Sequence, residues 1–118
     1  MKTTKEHYEL FKAECIKWND AFGLKDWDVC FSHDDRGTLA TCYSNAMTMR
    51  CELNLSTEWV GYEEGDITDE EIKRVALHEV CHQLFAELTD MVLKRIATEE
   101  AQLKEEHRII RRLGKVLI

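Results

Sequence analysis

The chain has 118 residues, a formal net charge of -7 and no proline. That length suits one domain with one core and is short for two, and 44% hydrophobic with 33% charged residues is ordinary globular composition that argues against disorder. The acidic balance disfavours broad contact with a phosphate backbone, no apolar run approaches a membrane span, and Met1-Lys2-Thr3-Thr4-Lys5-Glu6 lacks the apolar stretch of a secretory signal, so the expectation is a cytoplasmic protein with neither nucleic acid nor membrane as a partner.

The first segment reads as a helix. Thr3 and Glu6 fit a capping box, Tyr8, Phe11, Cys15, Trp18 and Phe22 form one apolar stripe, and Gly23 is a natural stop. Strands follow. Trp27, Val29 and Phe31 alternate with Asp28, Cys30 and Ser32. His33-Asp34-Asp35-Arg36-Gly37 reads as a solvated acidic turn, with a metal site as the sharper alternative. Thr38 to Tyr43 is a short second strand. From Met47 to Leu55 the alternation is strict, as in a half-buried antiparallel strand.

The five cysteines, Cys15, Cys30, Cys42, Cys51 and Cys81, are odd in number and include no Cys-x-x-Cys pair. They read as reduced, buried thiols; the alternative is a strand-to-strand disulfide between Cys42 and Cys51.

Ser56 to Asp66 reads as a loop, and Thr68 with Glu71 as a second capping box. A helix is predicted from about Asp69 to near Thr89. A last helix ends near Leu117; it starts either at Thr98-Glu99-Glu100 or earlier, because Met91 to Ala97 is also helix-compatible. The order α-β-β-β-α-α predicts a single α+β domain over 1–118 with a small, mainly antiparallel sheet.

The second helix carries Val75-Ala76-Leu77-His78-Glu79-Val80-Cys81-His82-Gln83-Leu84, which contains His-Glu-x-x-His. Residues four apart share a helix face, so His78 and His82 can grip one ion. Glu79 is rotated by about 100° and points beside that ion, where it can act as general base on a bound water. Zinc suits imidazole ligands and an open position for water. A shuffled chain with these 5 histidines would hold about 0.03 such motifs. The helix is also apolar nearly all round, as buried helices are, and polar groups at its surface need partners.

Residues 75–84 resemble the signature of the zincin metallopeptidases, with uncharged flanking residues and no proline. The layout of a helix, strands and then the motif helix is similar to theirs, and the length is similar to minimal zincin-like proteins of phages and prophages. The resemblance implies a zinc-dependent peptidase in which a peptide substrate adds as a strand, here expected at 47–55. It also implies a third ligand downstream. The extended His-x-x-Gly-x-x-His pattern of the metzincins is absent, since Leu88 and Asp90 stand there. Glu87, Asp90, Glu99, Glu100, Glu105, Glu106 and His107 remain. Glu87 lies opposite His78 and His82 on its own helix. Glu106 lies on the apolar stripe of Leu103, Ile109, Ile110, Leu113, Val116 and Leu117, where a carboxylate needs a partner. Glu106 is therefore the expected ligand, giving a site of the gluzincin kind; Glu105 is next, then His107, which would place the chain nearer the SprT-like group. Some gluzincins orient a ligand histidine with an Asp four residues after the ligand Glu; Ile110 occupies that position here.

His107, Arg108, Tyr43 and Tyr62 are candidates for stabilising the oxyanion. Lys104, Arg108, Arg111, Arg112 and Lys115 read as a solvated helix face. The expected function is peptide-bond hydrolysis by metal-activated water, with His78, His82 and Glu106 as ligands and Glu79 as base. Two rivals stand beside it: a metal-binding regulatory module, and a zinc hydrolase acting on a non-peptide substrate.

Overall fold

The protein is described by a computed structural model over residues 1–93, 104, 106–108, 110–112 and 114–115. It is an α+β structure. Helix α1 spans Lys5–Ala21, strands β1, β2 and β3 span Asp28–Ser32, Ala40–Asn45 and Arg50–Leu55, and helix α2 spans Asp69–Leu93. The described residues between 104 and 115 are helical and form a C-terminal helical segment. The predicted helix start at Thr98–Glu100 and the candidate ligand Glu105 lie outside the described residues.

The ends of α1 follow from local chemistry. Thr4, not Thr3, caps it: the His7 N–H donates to Thr4 Oγ1 at 3.2 Å, and the Thr4 N–H donates to His7 Nδ1 at 3.0 Å. Thr3 is unavailable because it turns inward, where its hydroxyl donates to the Ser56 carbonyl at 2.7 Å. That leaves its oxygen to accept from His33 Nε2–H at 2.7 Å. At the other end Gly23 adopts φ +72. The Leu24 N–H bonds Asn19 O and the Gly23 N–H bonds Asp20 O, which is the paired closure that a left-handed residue makes possible.

The sheet order is β1-β3-β2, with β3 parallel to β1 and antiparallel to β2. The predicted mainly antiparallel sheet is therefore mixed. The most apolar strand takes the centre: Cys51, Leu53 and Leu55 are buried, and a strand paired on both sides is the one that buries most. This overturns the expectation that 47–55 is a free edge, because both of its sides are already hydrogen-bonded. The strand also starts later than predicted. Residues 46–49 form a turn in which Asn45 Oδ1 accepts from the N–H groups of Met47 and Thr48 and Met47 is 81% exposed.

Asn54 is fully buried. Its amide oxygen accepts from Ser32 Oγ at 2.8 Å and Asp34 N at 2.9 Å, and its nitrogen donates to Asp34 O at 3.1 Å. This pins the 33–37 turn. His33 stacks on Tyr8 with ring centroids 4.8 Å apart, so its ring is held against α1. The five cysteines are free. Cys42 and Cys51 lie on one face with sulfurs 3.5 Å apart, hydrogen-bonded and not joined in a disulfide, while Cys30 is exposed and not buried as expected.

Helix α2 is covered on two sides, which explains its lack of a polar face. Ile72, Ala76 and Val80 join Phe11, Cys15, Cys51, Leu53, Leu55 and Trp59 in the main core. Leu77 and Cys81 pack against Ile110 of the C-terminal segment, with Trp18, Phe22 and Phe85 around them. Asn19 of α1 and Gln83 of α2, both buried, exchange two amide hydrogen bonds of 3.1 and 3.0 Å. Asn19→Ala orphans the Gln83 amide and is expected to cost about 1–3 kcal/mol. The double variant Asn19→Leu/Gln83→Leu, which leaves no polar group unpaired, is expected to cost less; urea unfolding of the three proteins checks the order.

Candidate metal centre

His78 and His82 stand one turn apart on α2, and their Nε2 atoms are 3.2 Å apart. Two nitrogens that each bind one zinc at 2.0–2.1 Å in a tetrahedron are separated by about 3.3 Å. The pair thus already has the spacing of one tetrahedral edge. The third ring is that of His107 in the C-terminal segment. Its centroid lies 5.2 Å from that of His78 and 4.5 Å from that of His82. One donor atom from each of the three rings lies within 4.8 Å of the others. All three rings are half-buried.

Glu106 is brought to the same place but in a different role from the one expected. It faces inward, as its position on the apolar stripe predicts, and is 8% exposed. Its Oε1 accepts from His82 Nδ1–H at 2.8 Å, on the side of the ring away from the other histidines. A carboxylate there fixes the tautomer, leaves the Nε2 lone pair for a metal, and raises the basicity of the ring. Glu106, the expected ligand, thus bonds His82, while its neighbour His107, about 100° further round the helix, is the group whose donor atom clusters with those of His78 and His82 and with them could hold a metal ion. The reason is geometric: Ile110 packs on Leu77 and Cys81, and this register lays the segment across α2 with Glu106 behind His82 and His107 beside it.

Electrostatics favour the neutral rings a metal requires. Burial lowers His78 to about 4, helped by His82, His107 and Arg111 and opposed by Glu106. His107 is also lowered, first by burial and then by His82. Glu79 is 6% exposed. Burial pushes its carboxyl up to about 7, against the attraction of His82. A carboxyl balanced near neutrality is suited to taking and returning a proton.

Of the residues considered for the oxyanion, His107 is one of the three clustered rings. Tyr43 is 63% exposed and pairs with Glu52, whose neighbours Cys51 and Leu53 point the opposite way, into the core; Tyr43 therefore projects from the outer side of the sheet. Tyr62 packs edge-on against Trp59. Arg108 is exposed. Beside His78 a cavity of about 440 Å³ is lined by Arg74, Ile110, Arg111, Gly114 and Lys115. Arg74 escaped the sequence reading, although its place four residues before His78 puts it on the same helix face.

No protein-family model, curated protein or solved structure matches this chain, so the centre is judged on its own geometry. Zinc titration of metal-free protein is expected to give one site per chain. His78→Ala or His107→Ala abolishes it, whereas Glu106→Gln keeps it with affinity reduced about 10–100-fold; the reverse order for Glu106 and His107 would make Glu106 the ligand. The metal-free protein also carries a pH signature. His78 and His107 stabilise the fold above their unfolded pKa of about 6.5, and this stability is lost as the pH falls from there, for His78 through about 4. Glu79 acts in the opposite sense: its contribution is present below about 4.5 and is lost as the pH rises through about 7. Metal-free wild type is therefore expected to show a blunted dependence in this window. Metal-free Glu79→Gln is expected to become steadily more stable as the pH rises through it, as urea midpoints will show.

Proposed function

We propose that this chain is a zinc-dependent peptide hydrolase of the zincin kind, with His78, His82 and His107 as ligands and Glu79 as general base. The observation that carries the reading is the meeting of His107, from a second helix, with a His78–His82 pair whose donor atoms are already 3.2 Å apart. A third histidine, in place of the glutamate expected from the sequence, draws the resemblance towards the SprT-like group. Three imidazoles with an open fourth position are a donor set for catalytic zinc. Zinc bound there would lower the pKa of a water towards about 7 and polarise the substrate carbonyl.

The remaining chemistry falls to side chains of the chain itself. Glu79 takes a proton from the attacking water and returns it to the leaving amine nitrogen, a task for which a carboxyl balanced near neutrality is suited. Glu106 holds His82 in the tautomer that offers Nε2. A peptide cannot pair with β3, so in this reading it adds along the outer edge of β2, the edge strand that lies against α2.

Glu79→Gln separates hydrolysis from metal binding. It is expected to retain one zinc per chain and to lose at least about 10²-fold in cleavage rate, measured by mass spectrometry on a mixed peptide library. Equal cleavage by the variant removes Glu79 from the mechanism. A zinc-loaded wild type that cleaves nothing in the library leaves a metal-binding module in place of the enzyme.

A further inference from the structure

The cavity beside His78 has a charge out of keeping with the rest of the molecule. The chain carries a net charge of -7, yet Arg74, Arg111 and Lys115 line this space together with His78, Ile110 and Gly114, and among the described residues no acidic one does. Arg74 is partnered by Glu71 at 2.5 Å. Among the described residues neither Arg111 nor Lys115 is in an ion pair. The floor is apolar, since Ile110 is 2% exposed. Two guanidinium groups and an ammonium lining a cavity of about 440 Å³ together with Ile110 suit one carboxylate and its short stem.

The positions follow a ladder. Arg74, His78 and His82 are spaced by four along α2, and His107, Arg111 and Lys115 are spaced by four along the C-terminal segment. On each helix the cation next to the ligands lies one turn away, a rise of about 6 Å. An extended peptide advances about 3.3 Å per residue. A carboxylate held in the cavity is therefore within about two residues of the carbonyl presented to the three histidines.

We propose that this cavity is a carboxylate subsite, and that the substrate is a peptide with a carboxylate, either an acidic side chain or the free C-terminus, within two residues of the bond that is cut. The inference rests on the hydrolase reading for the location of that bond and on the cavity itself for the charge. A nucleic acid fits less well: a polyanion needs a basic track along the surface, and here the cations line one local pocket of an acidic protein.

The test uses zinc-loaded Glu79→Gln protein, which binds without cutting, and three rhodamine-labelled octapeptides of otherwise identical sequence. One has a central glutamate and an amidated C-terminus, one is neutral with a free C-terminus, and one is neutral and amidated. Fluorescence anisotropy is expected to show at least tenfold tighter binding for one of the first two over the third, and whichever gains identifies the carboxylate's source. Adding Arg111→Gln and Lys115→Gln is expected to abolish the difference with zinc content unchanged. Equal binding of all three peptides, or a preference that survives the two substitutions, overturns the subsite. Tighter binding of a labelled oligothymidylate, lost in the same variant, also overturns it by assigning the cations to nucleic acid. A carboxylate preference in protein that takes up no zinc upholds the subsite while removing the hydrolase reading, so the two fail separately.

Discussion

The contact between Ile110 and the Leu77–Cys81 face of α2 is the constraint on which the centre depends. The His78–His82 pair comes from one helix, and any helix with that spacing presents it. A third donor must arrive from elsewhere in the chain at the right height and rotation. Burying Ile110 sets both. Glu106 is then one turn before the buried contact and meets His82 at Nδ1; His107 is the next residue round, and its ring lies 4.5 Å from that of His82. Apolar packing thus positions the polar groups, and the His82–Glu106 hydrogen bond fastens one of the rings it has positioned. The desolvation that accompanies this packing keeps His78 and His107 neutral, which is the form that carries a donor lone pair.

The relation of His78, Glu79 and His82 was legible in the sequence because it is local: a helix dictates where residues 78, 79 and 82 stand relative to one another. The inward orientation of Glu106 was legible for the same reason, from the apolar stripe it shares. What the stripe does not encode is which of two neighbouring groups meets the front of a histidine on another helix and which meets the back. A buried carboxylate needs a partner, and an imidazole N–H satisfies that need as well as a cation does. The position four residues after Glu106, where the resemblance implies an orienting Asp, holds Ile110; Glu106 itself is the carboxylate hydrogen-bonded to His82.

The sheet divides along the same line. The strands were visible from alternation, and Cys51, Leu53 and Leu55 do share the buried face. Their order was not, because adjacency in sequence suggests a meander, whereas β3 inserts between β1 and β2. The cause is the distribution of apolar residues among strands: β1 and β2 each contribute only partly buried positions, so the most apolar strand is the one that gains by being flanked. Placing β3 in the centre moves the edge beside α2 to β2. Any strand addition near the centre must then use a strand whose outer half is exposed.

The surroundings of Glu79 connect the two halves of the molecule. Cys15 from α1, Cys42 from β2 and Cys81 from α2 each have thiols raised by burial and by the charge of this carboxylate, with a hydrogen bond to Cys51 the first cause at Cys42. The effect is mutual. A thiolate at any of these positions would repel Glu79, and a strongly polar group would solvate it and return its pKa to the ordinary carboxylate range. Free thiols do neither: they are small, weakly polar and neutral. The cysteines that read in sequence as core filler thus stand within the electrostatic reach of the buried carboxyl without charging its environment, and burial is what raises Glu79 towards neutrality.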